Sequence, residues 1–131
     1  MDLLFEVVDP SDNAKVVFGA RQMLNRMGFD EVSQYLIASA ISELSTNILR
    51  YAGQGTVSLK IIHDGDQKGL EVIALDQGPG IAHIPQALEE NYSTGKGLGL
   101  GLPSVKRIMD EFDIRSAPGM GTRVMAIKWI N

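Results

Sequence analysis

Apolar and polar positions along the chain alternate between two periods. Residues 3–8 are short and mostly apolar and end at Asp9-Pro10-Ser11-Asp12, which predicts a strand, a turn and a helix start. From about residue 13 to residue 27, Val16, Val17, Ala20, Met23, Leu24 and Met27 recur at three- and four-residue steps, and Gly28 ends the run. A second helix is predicted over roughly residues 31–52, closed by Gly53 and Gly55. In it, Ile37, Ile41, Leu44 and Ile48 form one ridge, and Leu36, Ala40, Glu43 and Asn47 form the next. At about 100° per residue, Glu43 and Asn47 stand roughly 40° apart, beside the apolar stripe and off the fully solvated face.

The period then shortens. Val57, Leu59 and Ile61 alternate with Ser58, Lys60 and Ile62. After the Asp64-Gly65-Asp66 turn, residues 70–75 are nearly all apolar, as in a strand covered on at least one face. That run ends at Asp76, directly before Gln77-Gly78-Pro79-Gly80. An irregular stretch follows over residues 82–96, with a short helix expected near residues 85–90. Residues 102–112 carry a helical pattern with Pro103 in the first turn. Residues 114–116 and 122–130 read as two closing strands joined by Pro118-Gly119-Met120-Gly121. The order β-α-α-β-β-loop-α-β-β predicts an α/β two-layer sandwich in one domain over residues 1–131. Its sheet is expected to be mixed and mostly antiparallel, with the helices on one face.

Composition narrows the class. The 131 residues suffice for one domain with its own core. No cysteine is present, which excludes disulfides and Cys-ligated zinc. The formal net charge of -4 disfavours a non-specific nucleic-acid binder. No uninterrupted apolar run is long enough to span a bilayer, and the first residues lack the basic flank and apolar stretch of a signal peptide. The expectation is a cytoplasmic protein without nucleic-acid or membrane partners. His63 and His83 are too isolated to suggest a metal site. Lys106-Arg107 with Asp110-Glu111 has helical spacing and reads as a solvated face.

Four segments carry chemistry. Glu43 and Asn47, one turn apart, can point into one cavity, where a carboxylate activates a hydroxyl and an amide oxygen ligates Mg²⁺. Asp76, at a strand end among glycines, can accept a hydrogen bond from an exocyclic amine such as that of adenine. In Gly95-Lys96-Gly97-Leu98-Gly99-Leu100-Gly101-Leu102, glycines free backbone N–H groups to face phosphate, and Lys96 adds a mobile charge. The spacing matches neither Walker A nor Gly-x-Gly-x-x-Gly. Gly119-Met120-Gly121-Thr122 places a hydroxyl at the start of the last strand. Each segment taken singly also fits a plainer description: a polar helix edge, a strand-ending turn, a flexible loop, a hairpin turn.

All four in this order resemble the boxes of the GHKL (Bergerat) ATPases, the class of gyrase, Hsp90, histidine kinases and MutL. The chain's size, and segments such as Tyr51-Ala52-Gly53, Gly101-Leu102-Pro103 and Ala126-Ile127-Lys128-Trp129, are similar to the RsbT-type switch kinases of the bacterial stressosome, within the anti-sigma-factor kinase branch. The resemblance implies an ATP- and Mg²⁺-dependent serine/threonine kinase acting on a STAS-domain protein and binding a PPM-type phosphatase when released. It assigns Glu43 as general base and Asn47 as Mg²⁺ ligand. It assigns the nucleotide pocket to Asp76, Gly78, Gly80, Ile81, Thr94, Lys96, Gly97, Leu98, Gly99, Leu100, Gly101 and Thr122. Two other readings stand beside it: an anti-sigma factor or nucleotide-gated module that sequesters a sigma factor, and a detached histidine-kinase catalytic domain.

Overall fold

A computed structural model describes residues 2–80 and 101–130. The elements are β1 (Asp2–Val7), α1 (Pro10–Met27), α2 (Glu31–Tyr51), β2 (Gly55–Asp64), β3 (Gln67–Asp76), α3 (Leu102–Ile108), β4 (Glu111–Ser116) and β5 (Thr122–Ile130). The five strands form one sheet in the order β1-β2-β3-β5-β4. Every pairing is antiparallel, so the sheet expected to be mostly antiparallel is antiparallel throughout. The short helix expected near residues 85–90, and His83, lie outside the described residues.

α1 begins at Pro10, three residues earlier than its apolar period suggests. Asp9 is the reason. Its side chain accepts from the Ser11 N–H at 2.9 Å, while Asp12 reaches back to the N–H groups of Val8 and Asp9 at 3.0 and 3.1 Å. This reciprocal capping satisfies donors that have no partner inside the helix, and Pro10 occupies the first turn, where a missing N–H costs nothing. Gly28 ends the helix with φ +98°, a left-handed cap. Asp30 then caps α2 by accepting from Ser33 N–H at 2.7 Å.

One core lies between the helices and one face of the sheet. Ile37, Ile41, Leu44 and Ile48 of α2 are buried, as their ridge predicts. They pack with Val57, Leu59, Leu70, Val72, Ala74, Val124 and Ala126 from alternate strand positions, and with Val16, Ala20 and Leu24 of α1. Each large apolar side chain among them contributes about 1.5–3 kcal/mol through removal from water.

The C-terminal third departs from its predicted boundaries. α3 ends at Ile108, Met109 is extended, and Phe112 belongs to β4. Phe112 and Ile114 both pack on the core, two residues apart, which only a strand allows. Asp110 therefore leaves the helix and holds β5: it accepts from Trp129 N–H at 2.7 Å and Lys128 Nζ at 3.2 Å. Glu111 accepts from Trp129 Nε1 at 2.7 Å. These acids are exposed, as the solvated face expected, but they lie beyond the helix and clamp the two closing strands together.

Candidate functional site

The end of β3 is where two of the four segments meet. Asp76 lies opposite Gly55 on one side and Thr122 on the other. Its Oδ1 accepts the Gly78 N–H at 2.8 Å, which folds the chain back immediately after the strand. Among the described residues its second oxygen has no partner. The turn is pressed against two other elements. A Cβ on Gly78 would stand 2.6 Å from Ala52 Cβ at the C-terminus of α2. Gly80 has φ +81°, and a Cβ there would run into the Ala117 carbonyl of the β4–β5 hairpin. Pro79 C=O accepts from Gly119 N–H at 2.7 Å, closing the contact.

The hairpin is braced from within. Ser116 Oγ donates to Gly121 C=O at 2.7 Å and lies 2.9 Å from Thr122 Oγ1. A Cβ on Gly121 would strike the backbone of Asp76, so the hairpin and the strand end are in direct contact. Asp76, Gly78, Gly80 and Thr122, named from the sequence as pocket residues, are thus one structural unit. Sequence reasoning misses Ser116 and Gly55. The signal for Ser116 is its place across the hairpin from Thr122. Gly55 reads along the chain as a helix terminator, but it is the first residue of β2, and Leu75 C=O and Ile48 Cγ2 leave no room for a side chain there.

α2 carries the third segment. Glu43 and Asn47 are partly buried, beside the core stripe as their ridge predicts. Asn47 Oδ1 is buried and has no hydrogen-bond partner among the described residues. An unsatisfied buried amide oxygen costs about 1–3 kcal/mol, so its retention points to a ligand atom. Oxygen donors suit Mg²⁺, so this atom fits that ion. Among the described residues no three His, Asp or Glu side chains converge on a cation position, and a cation here would take its other oxygens from phosphate and water.

Gly101 joins this side of the site to α3. It is the N-cap of that helix, has φ +82°, and a Cβ on it would collide with the Glu43 carboxylate. The last glycine of the glycine-rich segment is therefore packed on the proposed base. Ile81, Thr94, Lys96, Gly97, Leu98, Gly99 and Leu100 lie outside the described residues. Two open depressions, of about 350 and 330 Å³, flank the strand end, and both include Leu75, Asp76 and Gln77.

Residues 33–129 match the sequence profile of the histidine kinase-, DNA gyrase B-, and HSP90-like ATPases. That span is more than half of the chain and contains all four boxes. The chain belongs to this ATPase family. Its curated relatives include serine/threonine-protein kinase RsbT of Bacillus subtilis, 49% identical over 84% of this chain and 83% of that protein. Anti-sigma F factor of Thermoanaerobacter sp. is 32% identical over 72% of this chain and 68% of that protein. Within the GHKL family the chain is thus a homologue of a serine/threonine-protein kinase. Solved structures agree on the fold. The SiaB-SiaC complex from Pseudomonas aeruginosa matches with a TM-score of 0.58 at 14% identity, covering 98% of this chain and 89% of that one. The mycobacterial sensor histidine kinase MprB matches with a TM-score of 0.56 at 17% identity, covering 98% and 97%. For this GHKL chain, no helix among the described residues is long and apolar enough to cross a membrane.

Proposed function

We propose that this chain is a cytoplasmic, single-domain, MgATP-dependent serine/threonine kinase that phosphorylates a STAS-domain partner and works as a partner-switching regulator. The observation that carries this reading is the pairing on α2: Glu43 is packed on Gly101, and one turn away the buried Oδ1 of Asn47 lacks a partner among the described residues. Identity of 49% to a serine/threonine-protein kinase supports it.

Bound MgATP supplies the phosphoryl group and the charge neutralisation that its transfer requires. The protein's part is positioning. Glu43 accepts the proton of the attacking serine or threonine hydroxyl. Asn47 offers its free oxygen to the magnesium ion. Asp76 keeps one oxygen on Gly78 and presents the other to the adenine amino group, with the Thr122 hydroxyl beside it in the strand register. Gly78 and Gly80 hold the turn that allows this approach. Ile81, Thr94, Lys96, Gly97, Leu98, Gly99 and Leu100 complete the pocket on the sequence reading. Binding and activation of a PPM-type phosphatase after release from the scaffold rests on the resemblance to the switch kinases.

Replacing Glu43 by Gln tests the reading with labelled MgATP and a STAS-domain protein from the same organism. Transfer should fall by at least roughly 100-fold while MgATP affinity stays within about twofold. Transfer at the wild-type rate would overturn the assignment of the base. A second reading, a nucleotide-gated module that sequesters a sigma factor, is favoured by the 32% identity to an anti-sigma F factor. Capture of a sigma factor with no binding of STAS proteins would select it.

A further inference from the structure

Helices α1 and α2 carry a surface that the fold itself does not use. Phe18, Val32 and Tyr35 are 66%, 69% and 67% exposed, and Leu36 is 42% exposed. One exposed apolar side chain needs no explanation, but four large ones on two adjoining helices do. Val32, Tyr35 and Leu36 fall at steps of three and four residues with the exposed Ser39, and the four form a stripe along α2. Ser39 is small enough to leave that stripe open to a close approach at its far end. The stripe is separate from the buried one through Ile37, Ile41, Leu44 and Ile48. Four residues beyond Ser39 it reaches Glu43, roughly 16 Å from Val32 at 1.5 Å per residue.

α1 broadens the stripe into a patch. Asn13 Nδ2 donates to Ser42 Oγ at 3.1 Å, and Gln34 Nε2 donates to Asn25 Oδ1 at 3.3 Å. These bonds set an antiparallel register in which Phe18 is level with Ala38 and Ser39, and Arg21 with Leu36 and Ile37. Phe18 and Arg21 are three residues apart on the outer side of α1, and both are exposed. Arg21 forms no ion pair among the described residues. Two aromatic rings and such a guanidinium, set beside aliphatic side chains, have the composition of an interface centre. A cation at that point of a chain with net charge -4 calls for a carboxylate on the partner.

We propose that this patch docks the protein substrate. The occupant is a folded domain with an apolar face and a carboxylate opposite Arg21, laid along α2 so that its serine or threonine hydroxyl reaches Glu43. The proposal rests on the kinase reading and adds to it the surface that selects the substrate. Phe18, Arg21, Val32, Tyr35 and Leu36 are specificity residues, remote from the reacting atoms.

The test compares Arg21→Glu, Tyr35→Ser and their combination with Leu4→Ser, an exposed apolar position on β1. The probes are MgATP and a STAS-domain protein from the same organism, with steady-state transfer, calorimetric binding and sedimentation as readouts. The two patch variants should raise the KM and Kd for the STAS protein by at least roughly tenfold, leaving kcat and the KM for MgATP within about twofold. Leu4→Ser should change none of these, and reversing the partner's carboxylate to lysine should restore binding by Arg21→Glu. Unchanged binding by the patch variants, or an equal loss with Leu4→Ser, overturns the proposal. So does a wild-type dimer that the patch variants dissociate, because the occupant is then a second copy. If the wild type binds the STAS protein without phosphorylating it, the kinase reading fails and the Kd series still decides the surface. If it does neither, both fall.

Discussion

Gly101 lies against the Glu43 carboxylate, with no room between them for a methyl group. The proposed base and the end of the glycine-rich segment are in contact although 58 positions separate them in the numbering of the chain. The contact has two requirements at once: no Cβ, and a φ of +82° that L side chains rarely adopt. Gly101→Ala should therefore displace Glu43 and strain the start of α3. The expected outcome is a loss of phosphotransfer of roughly 10- to 100-fold and of stability by about 1–2 kcal/mol. Single-turnover assays and urea denaturation of the same preparation would check both, and a fully active variant would refute the contact.

Asn47 makes a prediction of opposite sign for stability. Its buried Oδ1 has no partner among the described residues, so the apolar, similarly sized Asn47→Leu removes an unsatisfied atom. Stability should hold, or rise by about 1 kcal/mol, while magnesium-dependent ATP affinity falls by at least roughly tenfold. Thermal melts without nucleotide, and calorimetric titration with and without Mg²⁺, separate the two effects. A large loss of stability without nucleotide would show that the oxygen serves the fold.

Much of this arrangement is legible in the sequence, for reasons that differ by element. The α2 ridge places Glu43 and Asn47 correctly because helical periodicity is a local property and the apolar stripe beside them is long. Asp76 stands out because a buried strand stops there and glycines follow. The end of α3 is misplaced because Leu102, Val105, Met109 and Phe112 satisfy a helical period by accident. The choice between helix and strand at Phe112 is made by pairing with Ala126 and by the hold of Asp110 on Trp129, which are distant in sequence. Ser116 and the packing of Gly101 on Glu43 are invisible for the same reason, since each depends on a neighbour supplied by another element. The exposed patch on α1 and α2 needs burial values, because an exposed Tyr35 and a buried one read alike along the chain.

Asp76 separates a turn-forming role from a ligand-binding one. One oxygen already serves Gly78 N–H at 2.8 Å. Asp76→Asn keeps an oxygen for that bond and converts the other position into a donor. Folding should be unaffected, whereas affinity for ATP should fall by roughly 10- to 100-fold, the loss expected when a hydrogen bond to a charged acceptor is replaced by two opposed donors. Circular dichroism and ATP titration check the pair of outcomes, and retained affinity would exclude Asp76 as the adenine contact.

The helix caps predict a pH dependence. Bonds from the Ser11 backbone N–H, and then from its hydroxyl, hold the Asp9 carboxyl below its ordinary value of 3.8. Ser33 acts on Asp30 in the same two ways. A carboxyl whose pKa is lowered on folding stabilises the native state fully above its unfolded value, and that contribution disappears as pH falls through the folded value. The advantage of wild type over Asp9→Asn should therefore be constant at neutral pH and shrink once pH drops below 3.8. Paired urea titrations from pH 7 downward give the measurement, and a gap that widens in acid would contradict the cap.

The position of β5 has a consequence for how the protein comes into being. This strand follows β4 in the chain but is inserted between β3 and β4 in the sheet. During synthesis, β3 has an open edge until β5 leaves the ribosome, and Asp76 has neither Thr122 beside it nor Gly121 against its backbone. The carboxylate proposed to recognise adenine is thus translated well before the strand that completes its wall. If Asp76 is the adenine contact, nucleotide binding is a late event in the life of the nascent chain, and an interrupted translation product ending before Thr122 should not compete for ATP.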